Sequence, residues 1–403
     1  MTNPKKLKRI IFGFFALSFM ILTSCELEPS EKIDPIAPEL LYTERNESQT
    51  IQDFSKLGEL LIRTNSRLKN GSESARMKGL GANSGPNYLE IVERVLQVVN
   101  PSPCGPTDYT EWLEEENSDW SSVSRNFAEL TLMYVLPTYN ALLFENNTRD
   151  QYFGKDGEFT QSVNKTFKDL KRFWDIPSND IVLTAMHGNI LLEREKLIRT
   201  YTDFFGLSPE SAENLADAIS FLLETFPEYR NGDHPNFTLN ALALEGLNFM
   251  GEDLPNKIIL GDGFLEGFAA LGFNDIAPKA ILAHEFAHQI QFKLNIVDSP
   301  TTDLAEASRR VELMADAYAA YYLSHARGAS MQWKRVQQFL EVFFLLGDCE
   351  FGDPGHHGTP LQRMAAAKWG NQLAEKARKQ GHIMSSKKFA DLFEAQLPII
   401  VSP

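Results

Sequence analysis

The segment "ILAHEFAHQI", residues 281–290, places two histidines four residues apart inside an apolar run. Four residues advance an α-helix by about 400°, so His284 and His288 share one helix face and lie about 6 Å apart along the axis. Two neutral imidazoles in this arrangement can each direct a nitrogen at one ion, and imidazole is a ligand that suits Zn²⁺. The segment therefore predicts a helix that carries two ligands of a zinc site.

A catalytic zinc site has three protein ligands and one open position, so a third ligand must come from elsewhere in the chain. No histidine follows soon after His288, and the best candidate is Glu312 in "VELMAD" on the next predicted helix. Asp316 lies four residues further on the same face and is expected to accept a hydrogen bond from the far nitrogen of His284. Glu285 follows the first histidine directly, and we expect its carboxylate to take a proton from the attacking water.

Chance gives the pattern HExxH in roughly one chain in a hundred of this composition. The helical setting and the downstream E-x-x-x-D make coincidence rarer. Two alternatives remain open. The site can hold metal without turnover, so that the protein acts as a binding or assembly factor. The metal can also serve only to hold helices together, although this version explains Glu285 poorly.

The N-terminus carries Lys5, Lys6, Lys8 and Arg9, followed by an apolar run over residues 10–22. This run is shorter than the roughly 20 residues that a bilayer span needs, and its layout is typical of a secretory signal. It ends in "LTSC", which resembles a bacterial lipobox, in which the cysteine becomes the lipidated first residue. We therefore expect residues 1–24 to be removed and Cys25 to anchor the chain in the bacterial envelope, facing the periplasm or the cell surface. An ordinary signal with an incidental Cys25 is the alternative.

The formal net charge of −15 argues against nucleic acid as a partner, because phosphates would be repelled. A hydrophobic fraction of 43% allows a large core. Cys104 and Cys349 could pair outside the cytoplasm, but the sequence does not show whether they approach each other. The oligomeric state stays open.

Secondary structure changes near residue 230. The preceding region is mostly helical by its apolar periodicity. Beyond it, two strands are predicted at Phe237–Glu245 and Asn256–Gly263. The HEFAH helix follows, with Asn274 or Asp275 as its N-cap and Pro278 in its first turn. Further helices are predicted at Asp303–Arg327 and over residues 359–380.

Five segments, "NALALE", "KIILGDGFL", "ILAHEFAHQ", "VELMAD" and "HGTPLQR", occur in the order expected of gluzincin metallopeptidases. Over roughly residues 231–375 the chain resembles the CaaX-prenyl-endopeptidase-like group and the bacterial neutral zinc metallopeptidases. The resemblance implies a zincin-like fold in which His284, His288 and Glu312 bind zinc, Glu285 is the base and Asp316 supports a ligand. It also implies that a peptide substrate adds as a β-strand beside Asn240 and Ala241. The chain lacks a second apolar run of 18 residues, so a prenylated substrate is not expected.

The late segment places His357 six residues before Arg363, and the resemblance suggests that His357 steadies the oxyanion. The alternative is an exposed loop histidine.

We expect Tyr321 and Tyr322 to be packing residues and exclude His325 as a ligand because it lies too far along the helix. Three more histidines are expected on the surface or in loops: His187, His234 and His382.

The prediction is thus a mainly α (α+β) protein with a small β-sheet, a helical region and a zincin-like metallopeptidase domain. Its parts are a signal peptide (1–24), a flexible tether (25–86), a helical region (87–230), the metallopeptidase domain (231–385) and a C-terminal tail (386–403). The expected activity is a zinc-dependent endopeptidase that acts on a protein or peptide substrate and is held at the membrane by its lipid.

Overall fold

The computed structural model describes residues 108–249, 252–297, 304–345, 358–378 and 381–401. Several predicted features lie outside these residues: the signal peptide, Cys25, the tether, Cys104, Cys349 and His357. The described part is mainly helical and contains a three-stranded mixed sheet, as the sequence predicts. Among the described residues, no helix is both long and apolar enough to cross a bilayer.

The first half of the described chain contains six α-helices and one strand. They are α1 (Asp108–Glu116), α2 (Ser122–Leu130), α3 (Leu136–Leu143), α4 (Thr160–Phe173), β1 (Ile181–Met186), α5 (Arg194–Arg199) and α6 (Pro209–Thr225). Strand β1 was not predicted, because a short apolar run buried on both faces carries no periodicity that separates strand from helix.

The second half carries the remaining strands and six helices. They are β2 (Ala241–Leu244), β3 (Leu247–Phe249), β4 (Glu252–Leu254), β5 (Asn256–Gly261), α7 (Asp262–Ala270), α8 (Ala277–Leu294), α9 (Leu304–Ser324), α10 (Trp333–Leu345), α11 (Pro360–Arg378) and α12 (Ser386–Ile400). The predicted strand at Phe237–Glu245 is shorter than expected, because residues Pro235–Thr238 form a 3₁₀ turn.

The larger sheet has the strand order β1-β5-β2. Strand β5 lies in the centre, parallel to β1 and antiparallel to β2. One apolar cluster joins β1, β5 and α4 to α8, α9, α11 and α12, so residues before and after position 230 share a core. Phe167 of α4 contacts Phe286 of α8 edge to face, with ring centroids 6.2 Å apart.

Helix α8 lies inside this core and is buried over almost its whole length. Pro278 lies in its first turn, as predicted. The predicted N-cap is wrong, since Ile276 takes the cap position and no side chain caps it. Asp275 instead pairs with Arg335 of α10 at 2.6 Å, which orients the start of α8 from outside. The helix ends at Asn295, whose left-handed backbone (φ 53°) closes it.

The segment predicted as a C-terminal tail contains helix α12. Ser385 caps its first turn by accepting a hydrogen bond from the Lys388 amide, and Phe389 and Phe393 are buried in the shared core. Tyr318 of α9 donates a hydrogen bond to the Ser386 carbonyl at 2.6 Å. Helix α12 therefore covers the back of α9 and belongs to the folded body.

The three histidines predicted on the surface or in loops all lie outside helices and strands. His234 lies in a loop but is buried, so the loop assignment holds and the surface one does not. His187 does follow a strand end but pairs with Asp262, a partner 75 residues away that sequence spacing does not show. His382 is exposed, as predicted. His325 is buried and contacts the His382 carbonyl, and Tyr321 and Tyr322 are buried packing residues, as predicted.

His234 makes the fold sensitive to acid. Its Nε2 lies 2.9 Å from the Glu116 carbonyl and its Nδ1 accepts from the Asn236 amide, an arrangement that requires a neutral ring. Burial lowers the pKa of His234 from 6.5 to about 4. The unfolded chain therefore binds a proton first as the pH falls from 6.5 towards 4, and stability decreases across this window.

We expect the free energy of unfolding to fall by roughly 3 kcal/mol between pH 7 and pH 4 through His234 alone. Urea unfolding of the wild type and of His234→Gln at several pH values measures this contribution. The difference in unfolding free energy between the two should narrow as the pH falls from 6.5 to 4. A difference that is constant across this window would contradict the assignment.

Candidate metal centre

Three buried side chains from two neighbouring helices meet at one point. His284 Nε2 lies 3.3 Å from His288 Nε2. Glu312 of α9 lies against both imidazoles, with Oε2 at 3.2 Å from His284 Nε2 and Oε1 at 3.5 Å from His288 Nε2. The two histidines and the glutamate form a group that could hold a metal ion, as the sequence predicts.

The spacing of these donor atoms suits a small cation. Ligands placed tetrahedrally at about 2.05 Å from an ion are separated from one another by about 3.3 Å. The observed separations of 3.2, 3.3 and 3.5 Å agree with this value. The three side chains therefore lie close enough together to hold one small ion, with the two carboxylate oxygens of Glu312 each facing one imidazole.

A carboxylate orients the first imidazole from behind. His284 Nδ1 lies 3.1 Å from Asp316 Oδ1, the contact that was predicted for Asp316. Asp316 is itself held by Arg363 of α11, which donates from Nε and Nη2 at 2.8 and 2.9 Å. Both members of this ion pair are buried, at 1% and 4% exposure. The bidentate pair therefore fixes α11 against α9 and leaves Asp316 directed at the imidazole.

An amide orients the second imidazole, and this residue was not predicted. His288 Nδ1 lies 2.9 Å from Gln291 Oε1, and Gln291 Nε2 donates to the Val311 carbonyl of α9 at 2.7 Å. The signal in the sequence was the spacing of three residues between His288 and Gln291, which places them on the same helix face. The two histidines therefore each have a different polar group next to Nδ1, a carboxylate for His284 and an amide oxygen for His288.

These outer contacts determine the state of the inner nitrogens. An imidazole whose Nδ1–H donates to an acceptor carries a lone pair on Nε2. Both Nε2 atoms then face each other and a carboxylate across about 3.3 Å in a site shielded from water. Such a set of acceptors repels itself unless a proton or a metal ion lies among them.

The charges of the surrounding groups favour a cation in this position. Burial would by itself lower the pKa of His284, but Asp316 and Glu312 outweigh it and raise the pKa to about 10. Burial lowers the pKa of His288. Burial also raises the pKa of Glu285 to about 7, with Glu312 contributing to the rise and His284 and Arg363 opposing it. The site therefore holds positive charge at neutral pH, as a proton or as a metal ion.

Helix α8 is tied to the sheet on its opposite side. Gln289 Nε2 donates to the carbonyls of Leu244 at 3.0 Å and Lys257 at 2.9 Å, across strands β2 and β5. The predicted substrate-binding residues Asn240 and Ala241 lie at the start of β2, an edge strand, and both are buried. Among the described residues, no hydrogen-bond donor reaches Asn240 Oδ1.

Gln291 offers a test of the outer contacts. Replacing it with methionine keeps the length of the side chain but removes the acceptor for His288 Nδ1, so the ring loses its fixed tautomer. We expect metal affinity to fall about tenfold or more in Gln291→Met, as measured by competition with a chromophoric chelator. Gln338→Met, the same change at an exposed position of α10, serves as the control and should bind as the wild type does. Equal affinity in both variants would show that Gln291 does not support the site.

Comparisons of the chain with protein-family models, with curated proteins and with solved structures found no match.

Proposed function

We propose that this protein is a zinc-dependent endopeptidase of the bacterial cell envelope with a zincin-like catalytic domain. The convergence of His284, His288 and Glu312 at tetrahedral spacing, with Glu285 next to the first ligand, is the observation that carries the proposal. The lipobox-like segment that ends at Cys25 supports a lipid-anchored location.

The donor set favours zinc among the common metals. Two imidazole nitrogens and one carboxylate are borderline ligands that suit zinc, whereas magnesium and calcium prefer oxygen ligands alone. The three donors found among the described residues would leave a fourth position for water or substrate, which is the pattern of catalytic rather than structural zinc. Glu285 beside the first histidine also fits a catalytic role better than one in which the metal only holds helices together.

A bound zinc ion supplies Lewis-acid chemistry, since it polarises a carbonyl oxygen and lowers the pKa of nearby water. Glu285 is the residue of the chain that can move the proton. It is 6% exposed, and burial raises the pKa of its carboxyl to about 7. A carboxyl poised near neutrality can accept a proton from the attacking water and later donate it to the leaving amine.

The remaining residues hold this arrangement rigid. Asp316 and Gln291 fix the orientation of the two imidazoles, and Arg363 neutralises the buried charge of Asp316. Strand β2 lies at the edge of the sheet next to α8, where an extended peptide can add as a further strand beside Asn240 and Ala241. His357, which lies outside the described residues, remains a candidate for contact with the oxyanion.

The proposal is tested by zinc content and by cleavage of unfolded casein with the purified full chain. We expect about one zinc ion per chain. Glu285→Gln should retain the zinc and lose cleavage by a factor of about 10² to 10⁴, because the metal ligands remain while the proton acceptor is absent. Removal of the metal by a chelator should abolish cleavage, and added zinc should restore it.

Glu213→Gln makes the same change at an exposed position of α6 and should cleave as the wild type does. Cleavage that is unchanged in Glu285→Gln would reject the mechanism. A protein that binds zinc but does not cleave in any form would instead support the alternative of a binding or assembly factor.

A further inference from the structure

A second pair of titratable side chains lies at the carboxyl ends of the two parallel strands. Strands β1 and β5 end in register, with Met186 opposite Gly261, so the next residues, His187 and Asp262, lie side by side. His187 Nδ1 lies 2.6 Å from Asp262 Oδ2, and the two side chains are only 15% and 12% exposed. Carboxyl ends of parallel strands are a frequent position for ligand sites, because the chain leaves the sheet there and opens a crevice.

Asp262 determines which ring nitrogen of His187 is available to a ligand. Its other oxygen, Oδ1, accepts a hydrogen bond from the Gly154 amide at 3.1 Å, so the carboxylate accepts on both sides. His187 therefore donates through Nδ1–H to Asp262, which leaves its Nε2 for other contacts. No partner for this Nε2 occurs in the part of the chain that the structure describes. Tyr152 stacks on the ring, with centroids 3.8 Å apart and planes at 15°, which holds the imidazole in position.

A cavity of about 220 Å³ lies next to this pair, between α3, β1 and α5. The lining includes His187, Tyr152 and four ionisable side chains: Glu145, Asp150, Glu193 and Lys196. Its volume is below the roughly 300 Å³ at which drug-sized ligand pockets begin, so it suits one functional group rather than a whole cofactor.

The charges in this cavity are unequal. Lys196 Nζ is shared between Glu193 at 2.9 Å and Glu145 at 3.6 Å. Asp150 has no ion pair within the described ranges. Three carboxylates thus face one ammonium group. A ligand for this cavity must bring hydrogen-bond donors and positive charge, whereas an anion would be repelled.

We propose that this cavity binds a guanidinium group, either of free arginine or of an arginine side chain in a polypeptide. A guanidinium is planar and always charged, and its five N–H donors match carboxylates placed on several sides. Its flat, weakly hydrated face can also stack on an aromatic ring, and His187 covers only one face of Tyr152, which is 36% exposed. The site is separate from the zinc ligands, so the proposal does not depend on the proteolytic activity.

Isothermal titration calorimetry of the purified full chain tests the charge requirement. The probes are N-acetyl-arginine amide and N-acetyl-citrulline amide, which have the same shape and differ in the charge of the terminal group. We expect the arginine probe to bind at least tenfold more tightly. Equal affinity of the two probes, or no binding of the arginine probe, would overturn the proposal.

Two further probes distinguish the source of the group. Tighter binding of free L-arginine than of an unstructured peptide with one internal arginine would support the site and assign it to a small molecule. The reverse order would support it and assign it to a polypeptide.

Three variants locate the site. Glu193→Gln and Glu145→Gln keep the shape of the lining and remove one charge each, and both should weaken the arginine probe at least fivefold. Glu195→Gln is the matched control, because this residue lies on the same helix α5, is 86% exposed and does not line the cavity. Thermal unfolding confirms that each variant is folded. Binding that falls equally in Glu193→Gln and Glu195→Gln would place the guanidinium elsewhere and overturn the proposal.

Discussion

The structure depends on one electrostatic requirement: three buried acceptors that face each other need a positive charge among them. His284 and His288 each present a nitrogen lone pair, and Glu312 presents a carboxylate, all within about 3.5 Å and shielded from water. Placing such groups together without a cation is unfavourable, because each loses its hydration and gains only repulsion. The helices α8 and α9 that carry them nevertheless lie in the middle of the core. A proton on His284 or a metal ion held by the three side chains can supply this charge.

The rest of the polar core follows from this requirement. Asp316 lies behind His284, and its own charge is balanced by Arg363 through a bidentate pair that joins α9 to α11. Gln291 joins His288 to the backbone of α9, and Gln289 joins the other side of α8 to the sheet. Each of these contacts joins two secondary-structure elements, so the same interactions determine both the geometry of the centre and the packing of the helices. A substitution in the outer contacts is expected to affect metal affinity and stability together.

The sequence was informative where function is encoded within one helix and less so where it depends on tertiary contact. The spacing of His284 and His288 predicted a shared helix face. Glu312 was predicted as the third ligand, and Asp316, four residues further along the same helix, as the hydrogen-bond acceptor for His284. Strand β5 was predicted from its apolar run and the glycine that ends it.

Arg363 and Asp316 are 47 residues apart, and their contact depends on how α9 and α11 pack. The pairing of His187 with Asp262 likewise required the parallel register of β1 and β5. Strand β1 was missed because burial on both faces removes periodicity, and α12 lies in a segment predicted as a tail.

X-ray absorption spectroscopy at the zinc edge of the purified, zinc-loaded full chain tests the central claim most directly. The account predicts a first shell of four nitrogen and oxygen ligands at about 2.0 to 2.1 Å, with the outer-shell scattering of two imidazoles. In His288→Ala the signal of one imidazole should disappear. A shell that contains sulfur, or six oxygen ligands without imidazole scattering, would show that zinc binds elsewhere and would contradict the account.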